Sequence, residues 1–144
     1  MSEPRTVQDL MSPEVVTLHE SEPLSIADDV MKLGRIRHIP VVDDAGRLAG
    51  ILTQRDLFRD ALSRVLGYGH HTQSRILKVM RAKEVMTKTV ATVTRDTPIS
   101  DAAARMLRDK IGCVVVVEGG QGPDAAKVVG ILTESDFVKL ALRG

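Results

Sequence analysis

A seven-residue stretch occurs twice in this chain, and its recurrence dictates a fold made of two like halves. Gly50-Ile51-Leu52-Thr53-Gln54-Arg55-Asp56 returns as Gly130-Ile131-Leu132-Thr133-Glu134-Ser135-Asp136. The likeness extends towards the start: an offset of 75 carries Met11 onto Met86, Val15 onto Val90, Thr17 onto Thr92 and Pro23 onto Pro98. It also takes Ser25, Ala27, Met31 and Ile36 onto Ser100, Ala102, Met106 and Ile111, and Val41-Val42 onto Val116-Val117. Beyond that point the offset is 80, so the second copy holds five extra residues. They fall in Gly119-Gly120-Gln121-Gly122-Pro123-Asp124-Ala125-Ala126, which has the composition of a turn. An insertion in a hairpin loop leaves a core untouched. The duplication is therefore read as two structural repeats, residues 1–75 with their trailing loop and residues 76–144.

With 144 residues, 43% of them hydrophobic, the chain is long enough for a substantial core; a domain of this size buries about 68–70% of its unfolded surface. Aromatic residues make up only 2%, so the core must be aliphatic, and a pocket for a base would have aliphatic walls. A net charge of +1 leaves no concentrated basic stripe of the kind duplex nucleic acid requires, and no nucleic-acid partner is expected. Cys113 is the only cysteine, which excludes an intramolecular disulfide. Its apolar run, Cys113-Val114-Val115-Val116-Val117, marks it as a small buried hydrophobe. No apolar stretch has the length of a membrane span, and Met1-Ser2-Glu3-Pro4-Arg5 lacks the apolar region of a signal peptide. The expectation is a soluble, cytoplasmic protein with no membrane partner.

Hydrophobic spacing gives the elements. Val15-Val16-Thr17-Leu18 is a short strand candidate, followed by a helix entered at Pro23 with Leu24, Ala27, Val30 and Met31 on one face. Copy two repeats that face with Ile99, Ala102, Ala103 and Met106. Ser25-x-x-Asp28 is a candidate cap for the first helix, Thr97 or Ser100 for the second, and Gly34 a candidate stop. Ile39-Pro40-Val41-Val42, the turn Asp43-Asp44-Ala45-Gly46 and Leu48-Ala49-Gly50-Ile51-Leu52 make an antiparallel hairpin. Thr53 then opens a helix through Leu57, Phe58, Ala61, Leu62 and Val65. Each copy reads β-α-β-β-α, so the fold class is α/β. Gly67-Tyr68-Gly69-His70-His71 is a loop, and a connecting helix from Thr72 carries Ile76, Leu77, Val79 and Met80. Adjacent histidines direct their side chains apart, and no other ligands accompany His70-His71, so no metal site is expected.

Thr53-x-x-Asp56 and Thr133-x-x-Asp136 admit two explanations. One is a pair of capping boxes, with Asp in the place of the usual Glu. The other is a ligand site, since a hydroxyl and a carboxylate beside a strand-to-helix junction suit a nucleoside phosphate. The carboxylate can accept from both ribose hydroxyls while the hydroxyl and helix N–H groups face a phosphate. Gly50 and Gly130 add weight to the second, because glycine weakens a strand unless another group must approach closely.

The series Met-x(3)-Val, Pro, Ala-x(3)-Met, Ile/Val-Pro-Val-Val-Asp and Gly-Ile-Leu-Thr-x-x-Asp resembles the CBS repeat, named for cystathionine β-synthase. The resemblance runs from about Val7 to Leu142 and leaves no room for a separate catalytic domain. It implies a Bateman module, two repeats packed through their sheets with pseudo-two-fold symmetry and adenosine-containing ligands in clefts between them. By that resemblance the ligand is AMP, ADP or ATP ahead of NAD or S-adenosylmethionine, and no cofactor is required. Asp56 falls to the ribose diol and Thr53 to ribose or phosphate, while Thr17 and the His38-Ile39-Pro40 backbone border adenine and Arg55, with Arg37, reaches phosphate. Thr92, Val114, Thr133 and Asp136 take the same roles in copy two. Copy two departs in having Val115 for Pro40 and Glu134-Ser135 for Gln54-Arg55. The Asp56 cleft is therefore expected to prefer charged nucleotides and the Asp136 cleft to be weaker or empty.

The expected function is a regulatory module sensing adenosine nucleotides. It would act as a homodimer on a partner protein that the sequence does not identify. The alternative is a structural dimerisation module with unused clefts, its oligomer face built from Leu57, Phe58, Ala61, Leu62, Val65, Phe137, Leu140 and Ala141. Catalysis is not expected: His19, His38, His70, His71 and Cys113 show no nucleophile–base spacing.

Overall fold

A computed structural model describes residues 4–57, 77–120, 122 and 125–143. The chain forms two compact units, residues 16–89 and residues 1–15 with 90–144. The second is therefore discontinuous in sequence. The division at residue 75 separates sequence repeats, whereas packing gathers the chain differently.

In the unit of residues 16–89, strand β1 (Leu18–His19) leads to helix α2 (Leu24–Gly34), then to β2 (His38–Val42) and β3 (Leu48–Thr53). Residues 54–57 and 77–79 are helical, and helix α3 (Ala82–Val85) follows. The sheet order is β1-β2-β3, with β1 parallel and β3 antiparallel to β2. The discontinuous unit repeats this with β4 (Thr92–Val93), α4 (Ile99–Asp109), β5 (Cys113–Val117), β6 (Val128–Thr133) and α5 (Glu134–Arg143), and helix α1 (Val7–Leu10) takes the place of α3. Of the expected helix beyond Thr53, Phe58, Ala61, Leu62 and Val65 lie outside the described residues, as do residues 67–76 and Gln121, Pro123 and Asp124 of the insertion.

Each unit has its own aliphatic core. Leu24, Ala27 and Met31 of α2 pack with Ile39, Val41, Leu52 and Leu57 in one. Ala102 and Met106 of α4 pack with Val7, Val114, Val116 and Leu132 in the other. β5 is buried at all five positions, which explains a continuous apolar run where a half-exposed strand would alternate. Leu57 is buried in a core, so the expectation that it lies on an oligomer face is corrected, while Phe137 is half-buried against the other core.

The parallel pairs differ by one residue for a reason visible in the sequence. Val115 N–H donates to the Ala91 carbonyl at 3.0 Å, and pairing starts at Thr92. Pro40 stands at the matching position without an N–H, and pairing starts only at Leu18. The expected strand over residues 15–18 is thus observed as Leu18–His19.

The helix ends also differ from expectation. α2 and α4 begin after Pro23 and Pro98, and neither proline offers a side-chain cap. Their first donors are met by backbone instead: Leu24 N–H donates to the Met80 carbonyl at 2.9 Å and Ile99 N–H to the Arg5 carbonyl at 3.0 Å. Reciprocal bonds run from Ala82 N–H to Glu22 and from Val7 N–H to Thr97, both at 2.8 Å. Gly34 lies inside α2, and the left-handed residue that ends it is Arg35 (φ 53°), matched by Lys110 (φ 54°) after α4.

The glycines of the repeated motif have a local purpose. In each hairpin the pairing alternates between bonded and unbonded residue pairs, and Ile51 turns its backbone groups away from β2. They bond instead to Thr87, N–H to carbonyl at 2.9 Å in both directions. Ile131 and Ser12 make the same bridge at 3.0 and 3.2 Å. A Cβ on Gly50 would lie 2.6 Å from Met86 Sδ and 2.9 Å from the Thr87 carbonyl oxygen. On Gly130 it would lie 2.7 Å from Met11 Sδ and 3.0 Å from the Ser12 carbonyl oxygen. What approaches these glycines is the chain's own methionine side chain and the backbone after it, which corrects the expectation that they make room for ligand.

Gly50→Ala should therefore destabilise by about 1–3 kcal/mol, the cost of forcing atoms into a packed site. Gly34→Ala, which meets Ile36 at an ordinary 3.7 Å, should be neutral or stabilising. Denaturant midpoints compared at constant m-value check both.

Candidate functional site

The candidate residues gather at one end of each sheet: the start of the two parallel strands and the end of the hairpin's return strand. In the first unit His38 opens β2 directly opposite Thr53, the last residue of β3. Gln54 N–H donates to the Arg37 carbonyl at 2.8 Å, so the hairpin pairing continues one step past that pair. By the same alternation that frees Ile51, Thr53 turns its N–H away from β2. It donates to Asp56 Oδ2 at 3.0 Å, and Asp56 N–H donates back to Thr53 Oγ1 at 3.0 Å. The capping box is real, and it fixes a half-buried carboxylate at the sheet end by one of its two oxygens.

Around this carboxylate, Thr17 is exposed just before β1, and Arg37 and Arg55 are exposed. Neither arginine makes an ion pair among the described residues. Ile39 and Val114 send their side chains into the two cores, so only their main chains are left to border a ligand. Pro40 is also buried.

The second unit reproduces the arrangement with different side chains. Cys113 opposes Thr133, Thr92 opposes Val115, and Glu134 N–H donates to the Gly112 carbonyl at 3.1 Å. Thr133 N–H donates to Asp136 Oδ2 at 2.9 Å, and the Thr133 hydroxyl donates to the same oxygen at 3.4 Å. Arg105, which the motif comparison did not single out, donates from Nη1 to the Thr92 carbonyl at 2.9 Å. Its only sequence signal is that it replaces Val30 on the otherwise apolar helix face. Burial, reinforced by the negative charge of Glu134, pushes the Cys113 thiol up to about 12.

A separate concavity in this unit lies at the opposite end of its sheet, between Thr94, Arg95, Glu118, Gly119 and Gly120. An Arg95–Glu118 ion pair lines it, and it shares no residue with the Thr133–Asp136 site. Among the described residues no cluster of His, Cys, Asp or Glu could hold a metal ion; His70 and His71 lie outside them. No described helix is long and apolar enough to cross a membrane.

The family model for the CBS domain matches residues 7–63 and 82–143, once for each repeat. The chain belongs to the CBS-domain family. Its α/β fold of two units with three-stranded sheets matches solved CBS pairs. The CBS domain pair of protein MJ0100, in complex with 5′-methylthioadenosine and S-adenosyl-L-methionine, is 29% identical, covering 97% of this chain and 98% of that one at TM-score 0.77. CBSX2 in complex with AMP is 28% identical, with coverage of 97% and 98% at TM-score 0.76. L-aspartate semialdehyde sulfurtransferase of Methanocaldococcus jannaschii is 30% identical over 134 residues, which are 93% of this chain and 23% of that enzyme. The chain thus spans about a quarter of the length of the first curated relatives it matches.

The Cys113 environment gives a direct check on the site's packing. The folded chain holds a thiol proton that the unfolded chain, with an ordinary value of 9.0, gives up sooner. Its contribution to stability is therefore complete below pH 9 and declines as pH rises towards about 12. At pH ~8 iodoacetamide should label Cys113 slowly in the native protein and rapidly in denaturant, read by mass spectrometry, since the thiolate is the nucleophile. Rapid native labelling would show an exposed thiolate.

Proposed function

We propose that this CBS pair is a non-catalytic regulatory module that binds adenosine-containing small molecules at the two sheet ends. AMP, ADP and ATP are the favoured ligands, ahead of NAD and S-adenosylmethionine. Asp56 and Asp136 accept from ribose hydroxyls through the carboxylate oxygen that the cap does not use. Thr53 and Thr133 border the ribose, Thr17 and Thr92 with the main chain at His38-Ile39-Pro40 and Val114 border the base, and Arg55 reaches phosphate. The observation that carries this reading is a half-buried carboxylate held by Oδ2 at each of two matched sheet ends. The adenosine compounds bound by the MJ0100 pair and by CBSX2 add support.

A second reading, a dimerisation module with unused sites, draws on Val138 and Leu142, exposed one helical turn apart on α5. In the favoured reading the same stripe serves a cytoplasmic homodimer that passes ligand occupancy to a partner protein. Differential binding of that partner to free and liganded forms is what regulation requires.

A thermal-shift screen separates the two readings. Ligand at a hundred times Kd stabilises the folded state by about 2.7 kcal/mol, while unused sites give no shift with any adenosine compound. Asp56→Ala should lose about 1.5–3 kcal/mol of affinity, the worth of a hydrogen bond to a charged group. It should also lower the melting temperature, since a lost cap costs about 0.5–2 kcal/mol. Asp56→Asn keeps an acceptor for the Thr53 N–H, so it should spare stability and still weaken binding. Unchanged affinity in Asp56→Asn would reduce Asp56 to a helix cap.

A further inference from the structure

The two sheet ends are matched position for position, so their differences are side chains changed on one scaffold. The bonds from Gln54 N–H to Arg37 and from Glu134 N–H to Gly112 set the same register at both. At the first end this register carries Arg37 and Arg55 beside Asp56: two cations and one anion. At the second the same positions hold Gly112, Glu134, Ser135 and Asp136: two anions and no cation. Arg105 returns one cation to the second end: its guanidinium donates to the Thr92 carbonyl and pairs at 3.6 Å with Asp109, a carboxylate that Arg108 also holds at 3.1 Å. Against Glu134 and Asp136 that still leaves anions in excess, where cations are in excess at the first end. Arg35 and Lys110 occupy equivalent left-handed positions at both ends and cancel in the comparison. The field of Glu134 reaches the strand start, since its charge is felt by Cys113, the residue opposite Thr133.

We infer that the two ends sort adenosine compounds by charge: the Asp56 end takes a phosphorylated one, and the Asp136 end takes an uncharged or cationic one, a 5′-thioether or sulfonium nucleoside. This rests on the adenosine reading above and refines it. A phosphate monoester carries a charge of about −1.5 to −2 at neutral pH. Two arginines without carboxylate partners among the described residues complement it, and a second carboxylate repels it. Repulsion of the wrong partner is as effective a source of specificity as attraction of the right one. On this proposal the Asp136 end is a selective site, where the sequence alone led to the expectation of a weaker or empty one.

Calorimetric titration of the full chain with AMP, 5′-methylthioadenosine and S-adenosylmethionine tests this at low and high salt. Asp56→Asn should weaken AMP about tenfold or more and spare the sulfonium compound, and Asp136→Asn should do the reverse. Glu134→Gln, an exposed change with no cap to lose, should weaken the sulfonium compound by about two- to fivefold, as for one exposed ion pair. It should leave the thioether unchanged, and the gap between the two should shrink in high salt. Melting curves confirm that each variant is folded. Equal losses of AMP and sulfonium compound in either Asp variant, or equal effects of Glu134→Gln on thioether and sulfonium, would overturn the charge sorting while leaving adenosine binding intact. Wild-type protein that binds none of the three would overturn both.

Discussion

A methionine and the backbone that follows it pass so close to Gly50 and Gly130 that neither position has room for a side chain, and each unit depends on that approach. Met86-Thr87 lies on one glycine and Met11-Ser12 on the other, each locked by a pair of main-chain bonds to the following isoleucine. At that point the outer edge of each hairpin is closed by an isolated bridge, which pairs one donor and one acceptor that an edge strand would otherwise leave open. The same segments carry α3 and α1, and Met80 and Arg5, just before those helices, supply the acceptors for the first N–H groups of α2 and α4. Edge closure and helix capping are one structural event, made twice.

From that event the geometry of the site follows. Pairing alternation sends Ile51 N–H outward to Thr87 and, two residues on, sends Thr53 N–H outward to Asp56. Whatever fixes the register of the hairpin therefore also fixes the carboxylate. A half-buried acid tied by one oxygen is held in place, and among the described residues it has no salt bridge of its own. Capping occupies one oxygen of this group and leaves the other to the proposed ligand, so two roles that are rivals when only the sequence is considered are compatible.

Much of this was legible in the sequence because the repeat made each element visible twice. The α2 and α4 faces, the two hairpins, the insertion and the buried Cys113 follow from spacing alone. The Thr-x-x-Asp boxes were also readable, since a cap is a contact between residues three apart. What escaped were contacts between segments distant in sequence. Nothing near Pro23 shows that Met80 supplies its helix with an acceptor, and nothing near Gly50 names Met86 as its neighbour. Gly34 drew attention as a helix stop because glycine favours the left-handed region, yet Arg35 adopts it one residue later. The charge contrast between Arg37/Arg55 and Gly112/Glu134 was partly readable: Glu134-Ser135 stood out against Gln54-Arg55, whereas the Arg37–Gly112 match needed the register.

The discontinuous unit carries a consequence for how the chain comes into being. Residues 16–89 hold everything their unit needs, so that core is able to consolidate while the ribosome is still at work. Residues 5–12 are made before that unit but find their hydrogen-bonding partners only after it, residues 5–8 at Arg95, Thr97 and Ile99 and Ser12 at Ile131. Early emergence and later docking leave the N-terminal segment waiting, unpaired, while the intervening stretch of chain is made.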